Sequence, residues 1–350
     1  MRGLPAIMAD ATIEHTGGSL SSLSSVASVG VEGRDRGSVE KAFARHETFH
    51  LRYGWLKKGF DASVCDPSAF VRADAALQLG VGKNMVRAIR YWCRAFKVTE
   101  EVPDPAAGRV RLSEPTAFGT RLLGEYGWDP YLENPASLWL LHWQLLQAPC
   151  RAPSWYAMLN GAYIGTVTDA DLLREVALMR DAQPGWGDVV DASLKKDVDC
   201  FLRMYAPRRE RGKSIEDSLD SPFATLGLIA PVKADRHLYS FNIGVKEGLA
   251  DEVVVFAILD FLRRHGRSGA RTALISRFVQ DENSPGRIFK LTESDLRDAV
   301  LRVSASDAGI ELSDAAGSLQ LVLRDEIDAT AERLLDTLYR GGAPDVAPTP

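Results

Sequence analysis

The chain has 350 residues, 45% of them hydrophobic and 25% charged, the balance of a globular protein with room for two or three domains of roughly 100–200 residues. That excludes wholesale disorder, a fibrous repeat and a small disulfide scaffold. The net charge of −5 hides an asymmetry: between Lys41 and Lys97 stand 11 basic and 4 acidic residues, a local +7, against −10 over residues 98–350. A basic module on an acidic remainder points to a polyanionic partner for one part of the chain.

Residues 1–38 are rich in Gly, Ser and other small residues without a helical or strand period, and read as a flexible tail. Order is expected from Val39, with a helix to Arg52 that places Val39, Ala42, Phe43 and Phe49 on one side. Asp66-Pro67-Ser68 reads as the start of a second helix, carrying Phe70, Ala73, Ala76 and Leu77. Gly80-Val81-Gly82 breaks it, and a longer helix runs from Lys83 to Lys97. Pro103 to Gly108 turns the chain between Val98 and the alternation Val110-Arg111-Leu112. Helix, glycine turn, helix and strand pair is the order of a winged helix-turn-helix.

Asn134-Pro135 opens a helix whose body, Leu138 to Leu146, is apolar nearly all round and therefore buried. Residues 154–205 read as mainly helical, and Ser221 to Ile243 as containing strands. Asp251 to His265 is an amphipathic helix. Thr292 caps another from Glu293 to Val303, and Ile310-Glu311-Leu312 and Leu319 to Leu323 form a hairpin about Ala315-Ala316-Gly317. The second winged-helix-like unit carries an acidic face (Glu293, Asp295, Asp298 against Arg297 and Arg302), which suits protein contact better than phosphate. The expected fold is mainly α with small β-hairpins (α+β): two winged helix-turn-helix-like units joined by a helical middle region. Its boundaries are 39–150 for the basic unit, 151–245 for the middle, 246–340 for the acidic unit and 341–350 for a second tail.

The helix from Lys83 is the most informative segment. Lys83, Arg87, Arg90, Arg94 and Lys97 fall within about 80° of arc, opposite Met85, Ile89, Trp92 and Phe96. Guanidinium groups along ~20 Å of helix suit duplex phosphates and guanine, and Asn84 suits adenine. Lys57 and Lys58 add basic charge. The bland alternative is a solvated face; the turn, the preceding helix and the local charge favour nucleic acid.

Other motifs carry less. His46-Glu47-Thr48-Phe49-His50 matches H-E-x-x-H, but neither a His nor a Gly stands three residues after His50, where the chain has Tyr53, so the extended metalloprotease form fails, and the surroundings are cationic. Gly80-Val81-Gly82-Lys83 lacks the flanking Gly and Ser/Thr of a phosphate loop, with Leu77 and Asn84 in those places. Cys65, Cys93, Cys150 and Cys200 form no C-x-x-C pair and no nucleophile triad, and His142 reads as a core histidine. Met1 to Gly30 has no signal-peptide pattern and no run is long enough to span a bilayer, so the expectation is a cytoplasmic protein with reduced thiols and no membrane, metal or cofactor.

Several blocks resemble a known family. Arg45-His46-Glu47-Thr48-Phe49, Gly54-Trp55-Leu56-Lys57-Lys58-Gly59, Leu79 to Val86 with Ile89-Arg90-Tyr91-Trp92, Gly127-Trp128-Asp129-Pro130-Tyr131-Leu132-Glu133, Leu138 to Trp143, Leu226-Gly227-Leu228 and Gly286 to Leu291 are similar to blocks of the bacterial domain of unknown function number 4007, over residues 40–340. The resemblance implies a setting beside sulfur-transfer enzymes of DNA phosphorothioation and other phage-defence genes, and no catalytic residue. The combined expectation is a non-enzymatic DNA-binding accessory protein contacting double-stranded DNA through Arg87, Arg90 and Arg94, with Lys83, Asn84, Lys97, Lys57 and Lys58 in support. The alternative is an adaptor docking a sulfurtransferase or ATPase partner, and a metal-dependent hydrolase built on His46, Glu47 and His50 stands third.

Overall fold

In the computed structural model, described residues run from 39 to 340, leaving out 162, 164, 207–220, 233–236, 267–270 and 316. Both expected tails, 1–38 and 341–350, lie outside the described residues. Helix α1 (Trp55–Cys65), a short α2 (Ala75–Leu79) and α3 (Lys83–Ala95) lead into an antiparallel hairpin, β1 (Thr99–Pro103) and β2 (Arg111–Pro115), with Glu101 opposite Ser113. Sequence reading missed α1. Its inward face of Trp55, Leu56 and Phe60 meets α3 at close range, because a Cβ at Gly59 would stand 2.4 Å from Cys93 Sγ.

Then follow α4 (Ala117–Leu123) and α5 (Pro135–Leu146), the latter capped by Asn134 Oδ1, which accepts from Ala136 N. Every residue of α5 from Ala136 to Leu146 is buried, as its all-round apolar sequence requires. The middle region comprises α6 (Pro153–Asn160), β3 (Thr166–Thr168), α7 (Asp169–Ala182), α8 (Asp191–Tyr205), a 3₁₀ turn at Pro222–Leu226, β4 (Ile229–Pro231) and β5 (Leu238–Phe241). Its strands form an antiparallel sheet in the order β3-β5-β4. The last region holds α9 (Asp251–His265), β6 (Thr272–Leu274), α10 (Arg277–Gln280), α11 (Pro285–Phe289), α12 (Glu293–Ser304), β7 (Ile310–Ala315), β8 (Ser318–Leu323) and α13 (Ile327–Arg340), with sheet order β6-β8-β7. The architecture is α+β, mainly helical with small antiparallel sheets.

Two expectations fail locally. Residues 43–48 are turns, not part of a helix from Val39 to Arg52. Ala44, Glu47 and Thr48 all take positive φ (54°, 51° and 66°), which an α-helix of L-residues excludes. The helix expected from Asp66 is also shorter: Asp66 Oδ1 accepts from Ser68 N and Oγ, closing a turn, and Leu77 is left 81% exposed.

One hydrophobic cluster extends from Leu51 to Tyr339 through all three regions. Arg121 and Trp128 close it against α13: the Trp128 ring stacks on Tyr339 at 5.1 Å, Trp128 Nε1 donates to Asp336 Oδ1, and Arg121 pairs with Asp336 and Glu332. Trp128-Asp129-Pro130-Tyr131 forms a turn, with Asp129 accepting from the backbone of Glu133 and Asn134 and from Ser137 Oγ.

His142 is a core histidine with both ring nitrogens engaged, by Tyr205 Oη at 2.8 Å and the Ile288 carbonyl at 3.2 Å. Burial lowers its pKa from the ordinary 6.5 to about 4. Folding therefore disfavours its cation: the stabilisation is complete above pH 6.5 and is lost as pH falls toward 4. Denaturant titrations of wild type and His142→Gln should show that the stability lost between pH 7 and pH 4 is smaller in the variant by about 3 kcal/mol. Parallel pH profiles would show that His142 does not make this contribution.

Candidate nucleic-acid interface

The candidate interface is built on α3. Gly80 (φ 63°) ends α2, with its N–H and that of Val81 bonded to the Leu77 and Ala76 carbonyls. Gly82 then stands at the N-cap of α3 without a side-chain cap, and no acidic residue occupies the first turn. Val86, Ala88, Ile89, Tyr91, Trp92, Cys93 and Ala95 are buried, so the helix is pinned around more than half of its circumference.

The basic residues do not form one free stripe. Lys83, Asn84 and Arg87 are exposed at the N-terminal end of α3, with Arg87 3.6 Å from Glu47. Arg90 and Arg94 both pair with Glu101 Oε1 on β1, at 3.0 and 3.1 Å, and Arg90 also donates to the Arg111 carbonyl. Their side chains are only about a quarter exposed (23% and 26%). Desolvation lowers the pKa of Arg94, while Glu101 acts to raise it. Lys97 lies past the helix end at φ 58°, and its ammonium donates to the Gln144 carbonyl. Burial lowers its pKa to about 8. Lys97 thus faces the protein rather than continuing the stripe.

Lys57 and Lys58 belong to the other end of the surface. Lys58 Nζ donates to the Leu79 carbonyl, just ahead of the turn into α3, and Lys57 pairs with Asp61 and lies 5.8 Å from the Tyr131 ring centroid. Together with Gln78 and Tyr131 they line an open cavity of about 530 Å³. The accessible cations therefore gather near the start of α3 and on α1. No periodicity in the sequence shows that a hairpin folds Glu101 back onto Arg90 and Arg94.

The H-E-x-x-H motif has another role. His46 Nε2 meets Asp197 Oδ1 of α8 at 2.8 Å, Ala44 N donates to the same oxygen, and Ser154 Oγ donates to Asp197 Oδ2 at 2.5 Å. With turns in place of a helix, the two histidines are not presented one helical turn apart as a zinc pair requires. Cys93, Cys150 and Cys200 are buried free thiols, and Cys65 is an exposed one. Among the described residues no group of three or more His, Cys, Asp or Glu could hold a metal ion, and no helix is long and apolar enough to cross a membrane.

The chain belongs to a family of proteins of unknown function (DUF4007), whose pattern matches residues 43–339. No curated protein matches it. Among solved structures it is similar to a magnesium-ion-bound crystal structure of SspB, with 37% identity, a TM-score of 0.81 and coverage of 88% of this chain and 91% of that one. It is likewise similar to a second SspB crystal structure, at 38% identity, TM-score 0.80, and coverage of 88% and 92%.

Asp197→Ala would leave the Ala44 N–H, His46 and Ser154 without their shared acceptor. Equilibrium unfolding should show a loss of about 3 kcal/mol or more, while added chelator leaves the wild-type melting temperature unchanged. A chelator-sensitive melting temperature would return His46 to the metal reading.

Proposed function

We propose that the protein binds double-stranded DNA through the exposed start of α3 and the adjoining surface of α1, as an accessory protein of a DNA-modification or phage-defence system. The observation that carries this reading is the grouping of exposed Lys83, Asn84 and Arg87 on an α3 end that has no acidic residue in its first turn. Residues at the start of a recognition helix are those that reach base edges in helix-turn-helix proteins. The free N–H groups and dipole of that end also favour phosphate. The order α1, α2, α3 and the β1–β2 hairpin supports a winged-helix-like unit with α3 as its reading helix. Arg90 and Arg94, tied to Glu101, hold the hairpin against α3 and lie at the edge of the contact, with Lys57 and Lys58 supplying sequence-independent affinity.

A second reading, adaptor function, rests on the C-terminal region. Its order α9, β6, α10–α11, α12, β7, β8 supports a second winged-helix-like unit. Here the arginines of α12 are engaged by acids, Arg302 by Asp251 and Arg297 by Asp298. Such a face repels phosphate and suits a basic protein surface, including that of a sulfurtransferase or ATPase partner.

Duplex binding measured by anisotropy across a salt series tests the first reading. Lys83→Ala with Arg87→Ala should weaken binding and make the log–log salt slope shallower, by up to about 0.9 for each lost phosphate contact. Arg87→Ala combined with Arg90→Ala and Arg94→Ala should do the same provided circular dichroism shows an intact fold. An unchanged slope in both variants, or no binding of plain or phosphorothioated duplex by the wild type, overturns the DNA reading and leaves the adaptor reading.

A further inference from the structure

Away from α3, between the β3-β5-β4 sheet and the end of α11, lies a cavity of about 590 Å³. That volume is in the range of small-molecule sites. Lys290 reaches it from within the protein. This residue is 8% exposed and is held at φ 55°, a left-handed conformation that costs a non-glycine residue free energy. Two hydrogen bonds to its carbonyl maintain it: from the backbone N–H of Gly244 at 2.9 Å and from the side chain of Lys246, Nζ, at 3.0 Å.

The ammonium of Lys290 donates to the Leu159 carbonyl at 2.6 Å and lies 4.6 Å from the Phe241 ring centroid. Among the described residues no carboxylate lines the cavity; the polar side chains there are Lys290, Tyr163, Ser240 and Asn242. Tyr163 stacks on Phe241 at 5.2 Å, and its hydroxyl is buried without a hydrogen-bond partner among the described residues. A buried ammonium without a counter-ion, and a buried hydroxyl without a partner, among the described residues are both costly, and both are donors to an anion.

We propose that this cavity binds a phosphomonoester of mononucleotide size, its phosphate on Lys290 Nζ and Tyr163 Oη and its organic part along the Phe241 wall. Nothing in this inference depends on α3 or on DNA binding. The charged groups around the cavity favour an anion at its Lys290 end and act against one at its Tyr163 end. Lys290 has its pKa lowered to about 7 by burial, with Arg287 of α11 and Lys246 adding repulsion. Lys246 is lowered to about 8, also by burial, with Asp295 of α12 acting the other way. His142 of α5, behind this group, is held neutral by burial, and Tyr163 is kept protonated by burial with Glu175 and Asp171 of α7 acting in the same direction. Above pH 7 the free site therefore holds a largely neutral Lys290 amine, and a bound phosphate draws a proton onto it.

Isothermal titration of the full chain with adenosine 5′-monophosphate, inorganic phosphate and adenosine tests the site. The monophosphate should bind, phosphate should compete with it, and adenosine should bind far more weakly. At pH 8 the binding enthalpy should vary with buffer ionisation heat, reporting proton uptake that vanishes near pH 5.5. Lys290→Met, an apolar replacement of similar length, should remove that uptake and weaken binding by about ten- to hundredfold. Tyr163→Phe should weaken binding several-fold while keeping the uptake. Binding of adenosine as tight as its monophosphate, unaltered affinity in folded Lys290→Met, or no binding of either phosphate compound at millimolar concentration would overturn the proposal.

Discussion

The structure depends on enclosing one helix. A helix can be apolar on every side only if other elements surround it, and α5 obtains that enclosure from both ends of the chain. Ser137 shares hydrogen bonds with Asp129 and with Tyr339 of α13. His142 meets Tyr205 of α8 and the carbonyl of Ile288 in α11. Trp143 Nε1 donates to buried Asp260 of α9, whose charge is balanced by Arg263 and Arg264. The Gln144 and Leu146 carbonyls accept from Lys97 and Asn283. Each polar group on this helix thus specifies a different neighbour, while the apolar groups supply most of the driving force.

The same constraint explains what becomes of the basic module. Lys97 is drawn inward because α5 offers it a carbonyl, and Arg90 and Arg94 are drawn sideways because the hairpin returns Glu101 to them. Only the start of α3 remains outside this set of obligations. A local charge of +7 in the sequence therefore becomes a smaller cationic surface in the fold, concentrated where a reading helix would present it.

Features that depend on neighbours in sequence were legible. The capping residues Asn134 and Thr292, the glycine turn at Gly80, the apolar body of α5, the Asp251–His265 helix and the last hairpin all stand where local chemistry placed them. Features set by distant partners were not. Residues 43–48 have helical spacing of apolar groups, yet Ala44 and His46 are bound by Asp197, more than 150 residues later, and the backbone follows that carboxylate. Glu101 and Lys290 carry no sequence signal of their own, because their significance arises from β-pairing and from a cavity assembled by separate segments.

The closure of α5 by α13 has a consequence for biosynthesis. A ribosome delivers α5 long before it delivers Asp260, Ile288 and Tyr339, so the helix emerges with its flanks uncovered. Until α13 has left the exit tunnel, the flank of α5 that it covers, at Ser137, lacks its partner Tyr339. Such surfaces engage holding chaperones and aggregate when left bare. Arg121 and Trp128 wait for the same segment, since Asp336 and Tyr339 are their partners. Emergence of α13, rather than completion of the basic module, is therefore what supplies the last partners of Arg121, Trp128 and Ser137.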